Sequence, residues 1–216
     1  MIVGHRDDLL AGAKRCLHER GYGRTTARDI VAASGANLAS IGYHFGSKEA
    51  LLTAAIIESF AEWGDELDAV MLSLSWDADA DPIEQFEKAW THLIQSFATH
   101  RPLWVSSVEA FAQAEHIPEL REQLATSFEE TRAGMAAVIM KATSGIDEGA
   151  ARTIGSLVLA LLPGLALQWL LDPGRAPSGE DLGEAIRAVL RSLPTATSQT
   201  PDAAAEPQPD PPAQGS

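Results

Sequence analysis

The stretch GANLASIGYHFGSKEALL, residues 35–52, decides the fold of this sequence. Its first residue, Gly35, can adopt the left-handed backbone conformation that ends a helix. Asn37 can then cap a second helix over residues 38–45, because its side chain can accept a hydrogen bond from a free backbone N–H of the first turn. The spacing therefore predicts that one helix ends at about Ser34 and that a short one begins a few residues later.

A helix is also predicted immediately before this turn, over TTARDIVAAS at residues 25–34. Thr25 and Thr26 both offer hydroxyl groups to the free N–H groups of its first turn. Two short helices joined by a glycine-containing turn form a helix-turn-helix, whose second helix can lie in the major groove of DNA. The spacing alone is not specific, because helix corners of this kind also occur in proteins that do not bind DNA.

The side chains of the second helix make the DNA-binding interpretation more specific. Ile41 and Phe45 lie four residues apart and can face the core together with Ile30. The outward face then consists of Asn37, Leu38, Ala39, Ser40, Gly42, Tyr43 and His44. This face carries no Asp, Glu, Lys or Arg, and its small and hydrogen-bonding groups suit close approach to base edges and phosphates.

A third helix is predicted to follow directly, with Ser47 as its cap, and its apolar spacing continues through Leu52 to Trp63. The ammonium of Lys48 and the free N–H groups of that helix end would both attract a phosphate. The length of this helix predicts that it leaves the DNA-reading head, which we define as residues 1–50, and enters the rest of the molecule, the body. A rigid helix shared by two parts can carry a displacement from one to the other.

These features resemble the DNA-binding domain of TetR/AcrR-type transcriptional regulators over about the first fifty-five residues. The resemblance rests on Thr25-Thr26, Ile30, Gly35, Tyr43-His44-Phe45 and the run GSKEALL at 46–52, which occur in order without an insertion. It implies an all-helical homodimer with phosphate contacts from Thr26, Tyr43 and Lys48, and base or backbone contacts from Leu38, Ala39, Ser40 and His44. We include Thr25, Asn37 and Gly42 in the expected interface. Gly42 departs from the pattern, because many relatives carry an aromatic or polar side chain there, and the operator sequence is therefore not predicted.

The charge of the chain is unevenly distributed. The formal net charge of the 216 residues is −14, but residues 1–50 carry seven Lys and Arg against five Asp and Glu, which is +2 and leaves −16 for the rest. A mildly basic head on an acidic body suits a protein of which only one end contacts a polyanion. The single cysteine, Cys16, excludes an internal disulfide and a cysteine-rich zinc site, and we expect it to be buried.

The rest of the chain predicts a bundle of helices, so the expected fold class is all-α. A first helix is predicted over about residues 6–20, with an apolar stripe of Leu9, Leu10, Ala13, Cys16 and Leu17. Later helices are predicted to begin near Asp81-Pro82, Pro102, Pro118, Asp147 and Ser178. We expect a helix-turn-helix domain at residues 1–50, a ligand-binding and dimerisation domain at 51–193, and a disordered tail at 194–216, which holds six of the twelve prolines.

The resemblance implies that the middle helices hold a small molecule. Apolar candidates for lining its cavity are Phe86, Trp90, Trp104, Phe111, Phe128, Met135 and Trp169, and polar candidates are His100, Glu109, Gln113, His116 and Arg132. For any single aromatic residue, ordinary core packing explains the helical spacing better than a ligand cavity does. The histidines have no partner at metal-ligand spacing, and the sequence predicts neither a metal site nor a cofactor.

The resemblance also implies that the last two helices, at about residues 150–193, pair with a second subunit. Residues 154–171 are apolar enough to be compared with a membrane span, but they are short for one and contain Pro163, Gly164 and Gln168. We therefore interpret them as a buried helix at a subunit interface. The N-terminus reaches Arg6 without an apolar signal segment, and a cytoplasmic location is expected.

Catalysis is not predicted, because the sequence contains no nucleophile elbow, phosphate-binding loop, His-Glu metal motif or glycine fingerprint. The resemblance, together with the residues of the second helix, instead implies a homodimer that binds a palindromic operator through two copies of residues 38–45, represses transcription and releases DNA when a small apolar or aromatic inducer enters the bundle. One alternative is an activator, or a regulator without a ligand, of the same fold. Another is a helical membrane-associated scaffold protein whose residues 154–171 insert into lipid.

Overall fold

The computed structural model describes residues 4–73, 81–143 and 145–193, so the tail at 194–216 lies outside the described residues. Within these ranges the chain forms nine α-helices and no strand, which confirms the predicted all-α fold. The helices are α1 (Gly4–Arg20), α2 (Ala27–Ser34), α3 (Leu38–Phe45), α4 (Lys48–Ser73), α5 (Pro82–Thr99), α6 (Arg101–Ala114), α7 (Pro118–Ala142), α8 (Glu148–Leu171) and α9 (Gly179–Ser192).

Capping side chains start several helices where the sequence predicts. Asn37 Oδ1 accepts a hydrogen bond from the Ser40 backbone N–H at 3.0 Å, and Ser47 Oγ accepts one from the Ala50 N–H at 3.0 Å. The side chains of Asp81, Asp147 and Ser178 cap α5, α8 and α9 in the same way. Gly35 ends α2 with a positive φ of 71°, as predicted.

Thr25 does not help to cap α2, and this prediction was wrong. The cap is Thr26, whose Oγ1 accepts a hydrogen bond from the Asp29 N–H at 3.2 Å. Thr25 is only 1% exposed, and its hydroxyl donates to the carbonyl oxygen of Gly21 at 2.7 Å. Because this hydroxyl is used to hold the loop between α1 and α2, the Thr25 side chain is withdrawn from the surface that we predicted to contact DNA.

The core of the head is formed by α1 to α4. The predicted stripe on α1 is buried, and it packs with residues of the next three helices: Ile30, Ile41, Leu51, Leu52 and Ile56. Ala110, Ala114 and Leu120 of α6 and α7 belong to the same cluster. The head is therefore packed against the body and shares a core with it.

A second core lies in the body and is rich in aromatic residues. The ring of Trp104 packs edge-on against Phe60, Trp63 and Phe97, with centroid separations of 5.0, 5.4 and 5.2 Å. Such aromatic pairs stabilise a fold by about 0.5–1.5 kcal/mol each beyond the burial of their area. Helix α4 is a continuous helix of 26 residues and supplies Ile56 to the first core and Trp63 to the second. This confirms that one helix runs from the head into the body.

Close backbone contact joins α9 to α5. A β-carbon at Gly179 would collide with the backbone oxygen of Glu87 and would lie 2.7 Å from the backbone nitrogen of Thr91. Gly183 approaches the Glu87 side chain in the same way, and Arg187 forms an ion pair with that carboxylate. The two glycines therefore allow a helix approach that a larger residue would prevent.

Most of α8 is not buried within one protomer. Its buried residues are Ala151, Gly155, Leu165 and Ala166. Large apolar side chains are exposed on α8, on α9 and just after it: Ile154, Leu157, Leu167, Leu171, Val189, Leu190 and Leu193. By length and composition, α8 is the one helix among the described residues that could cross a membrane. The burial that we expected for this helix is at a subunit interface, and one protomer leaves these side chains exposed.

Candidate nucleic-acid interface and ligand cavity

Two apolar residues anchor α3 to the head, as predicted. Ile41 is 4% exposed in the first core, and Phe45 packs against the same cluster. The guanidinium carbon of Arg6 lies 5.4 Å from the centroid of the Phe45 ring and covers the end of the helix. This anchoring fixes which face of α3 points outward.

The outward face of α3 is formed by the residues that the sequence assigns to it. Leu38 is 56% exposed and Tyr43 is 84% exposed, so both side chains are free to contact another molecule. Asn37, Ala39 and Gly42 are exposed, whereas Ser40 and His44 are half-buried. Among the described residues, no neighbouring atom lies within 4 Å of the position that a Gly42 β-carbon would take, so packing against them does not require glycine there.

Lys48 joins the start of α4 to the residues just before α2. Its Nζ donates a hydrogen bond to the Thr25 carbonyl oxygen at 3.1 Å and lies 3.3 Å from the Glu49 carboxylate. Thr26, the next residue along, is exposed. The two predicted phosphate contacts at Thr26 and Lys48 are therefore brought together at one edge of the head.

Two exposed arginines flank Thr26 and were not predicted as DNA contacts. Arg24 and Arg28 are both exposed, and the Arg24 Nε donates to the Arg20 carbonyl oxygen at 2.8 Å. They could have been predicted from the sequence, because they lie two residues before and two residues after Thr26, the cap of α2. Both can add positive charge beside the N-terminus of α2, which favours an anion.

The carboxylate of Asp29 completes the cap of α2. It accepts hydrogen bonds from the Thr26 hydroxyl at 2.6 Å and from the Thr26 backbone N–H at 2.9 Å. These bonds from Thr26, together with the nearby Arg20, lower the pKa of Asp29 below its ordinary value. The carboxylate stays charged at neutral pH, and it fixes the first turn of α2 and the position of the Thr26 side chain.

The body contains a cavity of about 860 Å³ that is lined from α4 to α8. Five of the predicted lining residues are brought together there: Trp90, Trp104, Phe111, Phe128 and Met135. Most of the other lining side chains are aliphatic or aromatic, and the volume is in the range of small-molecule sites. The cavity and the first core share Ile56 and Ala110.

Three further predicted residues do not line this cavity. The Phe86 ring packs against Trp90 with a centroid separation of 5.6 Å, and the Trp169 ring packs against Phe97 at 6.1 Å. Arg132 forms an ion pair with Glu129 instead. Helical spacing predicts that these residues contact other helices, but it does not distinguish a packed core from the wall of a cavity.

The other polar candidates also lie elsewhere. The Nε2 atom of His100 is 3.1 Å from the Glu66 carboxylate, and Glu109 accepts a hydrogen bond from the Gly23 N–H at 2.8 Å. Gln113 and His116 are absent from the lining of the cavity. Among the described residues, the charged side chains that do line it are Asp65 and Glu130.

A second depression, of about 920 Å³, lies between the start of α4 and α7. Four carboxylates line it, those of Glu49, Glu119, Glu122 and Glu130. Its negative charge would repel phosphate groups, so it is not part of the candidate DNA interface. In the described parts of the chain, no group of three or more His, Cys, Asp or Glu side chains is arranged to hold a metal ion.

Comparisons with known proteins agree with this arrangement. Residues 9–55 match the sequence model of the bacterial regulatory proteins of the tetR family, and residues 81–193 match that of the tetracyclin repressor-like C-terminal domain. Over 63 residues the chain is 38% identical to the HTH-type transcriptional repressor AcnR of Corynebacterium efficiens. That match covers 29% of this chain and 34% of the repressor, so the chain spans about a third of this relative's length.

Solved structures share the fold. A transcriptional regulator from Rhodococcus sp. Rha1 superposes with a TM-score of 0.56 at 21% identity, covering 86% of this chain and 96% of that one. The multidrug binding protein EbrR, complexed with imidazole, superposes with a TM-score of 0.60 at 23% identity, covering 85% and 88%. Since the two family matches together extend over most of the described helices, the chain belongs to the TetR family of DNA-binding transcriptional regulators.

Proposed function

We propose that this protein is a repressor that binds a palindromic operator as a homodimer and is released by a small apolar molecule. The observation that carries the proposal is the outward face of α3. It presents a surface without Asp, Glu, Lys or Arg on a helix whose underside is fixed by the buried Ile41. Thr26 and Lys48 lie at the edge of this surface, where phosphates of the same duplex would pass.

The exposed apolar residues of α8 and α9 support a dimer. Two helices that each leave several large aliphatic side chains in water are stabilised when a second copy covers them. A two-fold symmetric dimer presents two copies of α3, and the operator is then expected to be an inverted repeat. We propose that α8 and α9 form the subunit interface.

A ligand can act on DNA binding through the helices that contact both the cavity and the head. Helix α4 lines the cavity with Phe60 and Trp63 and begins at Lys48 beside the DNA-reading helix. A ligand that prefers a displaced position of α4 changes the separation of the two heads, which then no longer match half-sites about one helical turn or a multiple apart. Equal head separations and equal DNA affinities with and without ligand would contradict this step.

The alternatives are less well supported. A regulator without a ligand, in which side chains fill the cavity, does not explain an apolar space of about 860 Å³. A membrane-associated scaffold would use the exposed apolar side of α8, but α8 contains Pro163, Gly164 and Gln168 within its apolar run. We propose that the protein acts in the cytoplasm, as its family does, and recovery of the protein in the soluble fraction without detergent tests this.

The function is tested by measuring the fluorescence anisotropy of labelled duplexes from its own promoter region. We expect two chains to bind one inverted repeat. The hydroxyl of Ser40 donates to Asn37 Oδ1 at 3.1 Å and lies on the reading face, so Ser40→Ala should change the preferred sequence and keep binding. If the natural chain and the Ser40→Ala variant both bound the inverted repeat and a scrambled duplex with equal affinity, the proposed function would be rejected.

A further inference from the structure

The cavity opens to solvent between α4 and α7. Among the residues that line it, the exposed ones are Ala61, Asp65, Phe111, Glu130, Thr131, Gly134, Val138 and Ile154. Ala61 and Asp65 lie one turn apart on α4. The four on α7 lie along one side of that helix, at or near spacings of four residues: Glu130, Thr131, Gly134 and Val138. The mouth therefore has α4 and α7 at its rim, together with Phe111 of α6 and Ile154 of α8, and a molecule that enters passes beside α4 and α7.

Two glycines keep this mouth wide. Gly64 on α4 and Gly134 on α7 both line the cavity, and within the described parts of the chain no neighbouring atom lies within 4 Å of the position that either β-carbon would take. A glycine inside a helix costs about 1 kcal/mol relative to alanine, and packing does not require either glycine here. Because they are small, these two glycines leave room at the mouth of the cavity.

The charged groups at the mouth are all negative. Asp65 directly follows Gly64, and Glu130 precedes Gly134 by one helical turn. Among the described residues that line the cavity there is no Lys, Arg or His. An anionic group on a ligand would be repelled here, whereas a cationic group could stay at the mouth, partly in water, with its apolar part inside.

We propose that the effector is an apolar organic cation. Its ring system passes between Gly64 and Gly134 into the aromatic part of the cavity, and its ammonium stays between Asp65 and Glu130. This inference rests on the proposed function of the cavity and adds the charge and the entry path of the molecule that it takes. The remaining lining, with Trp104 and Phe128 among its aromatic rings, suits a flat hydrocarbon.

Three probes of equal size separate the charge from the apolar part: 2-naphthylmethylammonium, 2-naphthylmethanol and 2-naphthoate. Their binding to the full chain is measured by titration calorimetry at low salt, where surface charges are least screened. We expect the cation to bind most tightly and the anion about 10-fold more weakly than the cation. In the Asp65→Asn, Glu130→Gln double variant this ratio should fall to about 2-fold, whereas Glu122→Gln, on α7 outside the cavity, should leave it unchanged.

The entry path is tested with Gly134→Leu, which places a branched side chain in the mouth. We expect the affinity for the cationic probe to fall at least about 10-fold. DNA binding without probe should be unchanged and shows that the variant is folded.

The results of these experiments distinguish a failure of the cationic effector from a failure of the proposed repressor function. Tight binding of the anion, an unchanged ratio in the double variant, or full affinity in Gly134→Leu would overturn the inference. Failure of all three probes to bind would also overturn it. Release of DNA by the probes without any preference for charge would keep the proposed function and reject the cationic effector. Failure of the chain to bind an inverted repeat would reject the function itself.

Discussion

The carboxylate of Glu109 on α6 accepts a hydrogen bond from the backbone N–H of Gly23, at 2.8 Å, in the loop between α1 and α2. Gly21, in the same loop, has a positive φ of 79°, and its β-carbon position would lie 3.2 Å from this carboxylate. The next residue of α6, Ala110, lines the cavity. One helix therefore contacts the ligand space on one side and holds the head on the other, so it is placed to transmit a change in the cavity.

We predict that Glu109→Ala weakens the effect of ligand on DNA affinity while leaving DNA affinity without ligand within about 3-fold. The lost hydrogen bond should also lower the free energy of unfolding by about 1 kcal/mol. Glu109→Gln is the matched control, because its amide oxygen can still accept from Gly23, and it should behave like the natural chain. An unchanged ligand response in Glu109→Ala would show that α6 does not couple the two sites.

Lys48→Ala should weaken binding to all DNA sequences alike, because a phosphate contact carries no sequence information. The slope of log affinity against log salt should fall by about one unit per subunit. Lys88→Ala removes the same charge from α5 in the body and should leave the slope unchanged. Full affinity of Lys48→Ala at moderate salt would exclude Lys48 from the interface.

Gly179→Ala should destabilise the protein by about 1–3 kcal/mol, because its β-carbon would collide with the backbone of α5 at Glu87 and Thr91. Gly134→Ala, also on a helix but with open space around its β-carbon position, should be neutral or stabilise by up to about 1 kcal/mol. Urea denaturation of both variants measures the difference. Equal stabilities would mean that α5 and α9 do not approach as closely as the structure shows.

The cap of α2 should make stability depend on pH in the acid range. The pKa of Asp29 in the folded protein lies below its ordinary value of 3.8, so the charged carboxylate stabilises the folded state above that pH. This stabilisation is lost as the pH falls through the lower, folded value. Asp29→Asn should therefore be less stable than the natural chain at pH 6, and the difference should shrink towards pH 2.5. A difference that stays constant with pH would contradict the role of the charge.

Local chemistry explains which parts of the fold could be predicted from the sequence. Asn37, Ser47 and Ser178 cap helices through bonds to backbone groups three residues away, so the starts of α3, α4 and α9 follow from short stretches of sequence. The same holds for the outward face of α3, because Ile41 and Phe45 determine which side is buried.

Contacts outside a single helix explain what the sequence did not predict. Thr25 looks like a capping residue, but it is buried, and its hydroxyl donates to the carbonyl oxygens of Gly21 and of Cys16 on α1. Glu109 and Trp169 have helical spacings that suit a cavity, yet one contacts the head and the other contacts Phe97. Which of several neighbours an apolar or polar side chain meets depends on how the helices are arranged, and periodicity within one helix does not contain that information.

We propose that two copies of α3 read one duplex, and selection of bound DNA from a pool of random duplexes tests this most directly. The purified chain is mixed with the pool, and the bound duplexes are sequenced after several rounds. We predict an enriched inverted repeat whose half-sites are centred about one helical turn or a multiple apart. A pool without enrichment, or a single motif without two-fold symmetry, would contradict the account.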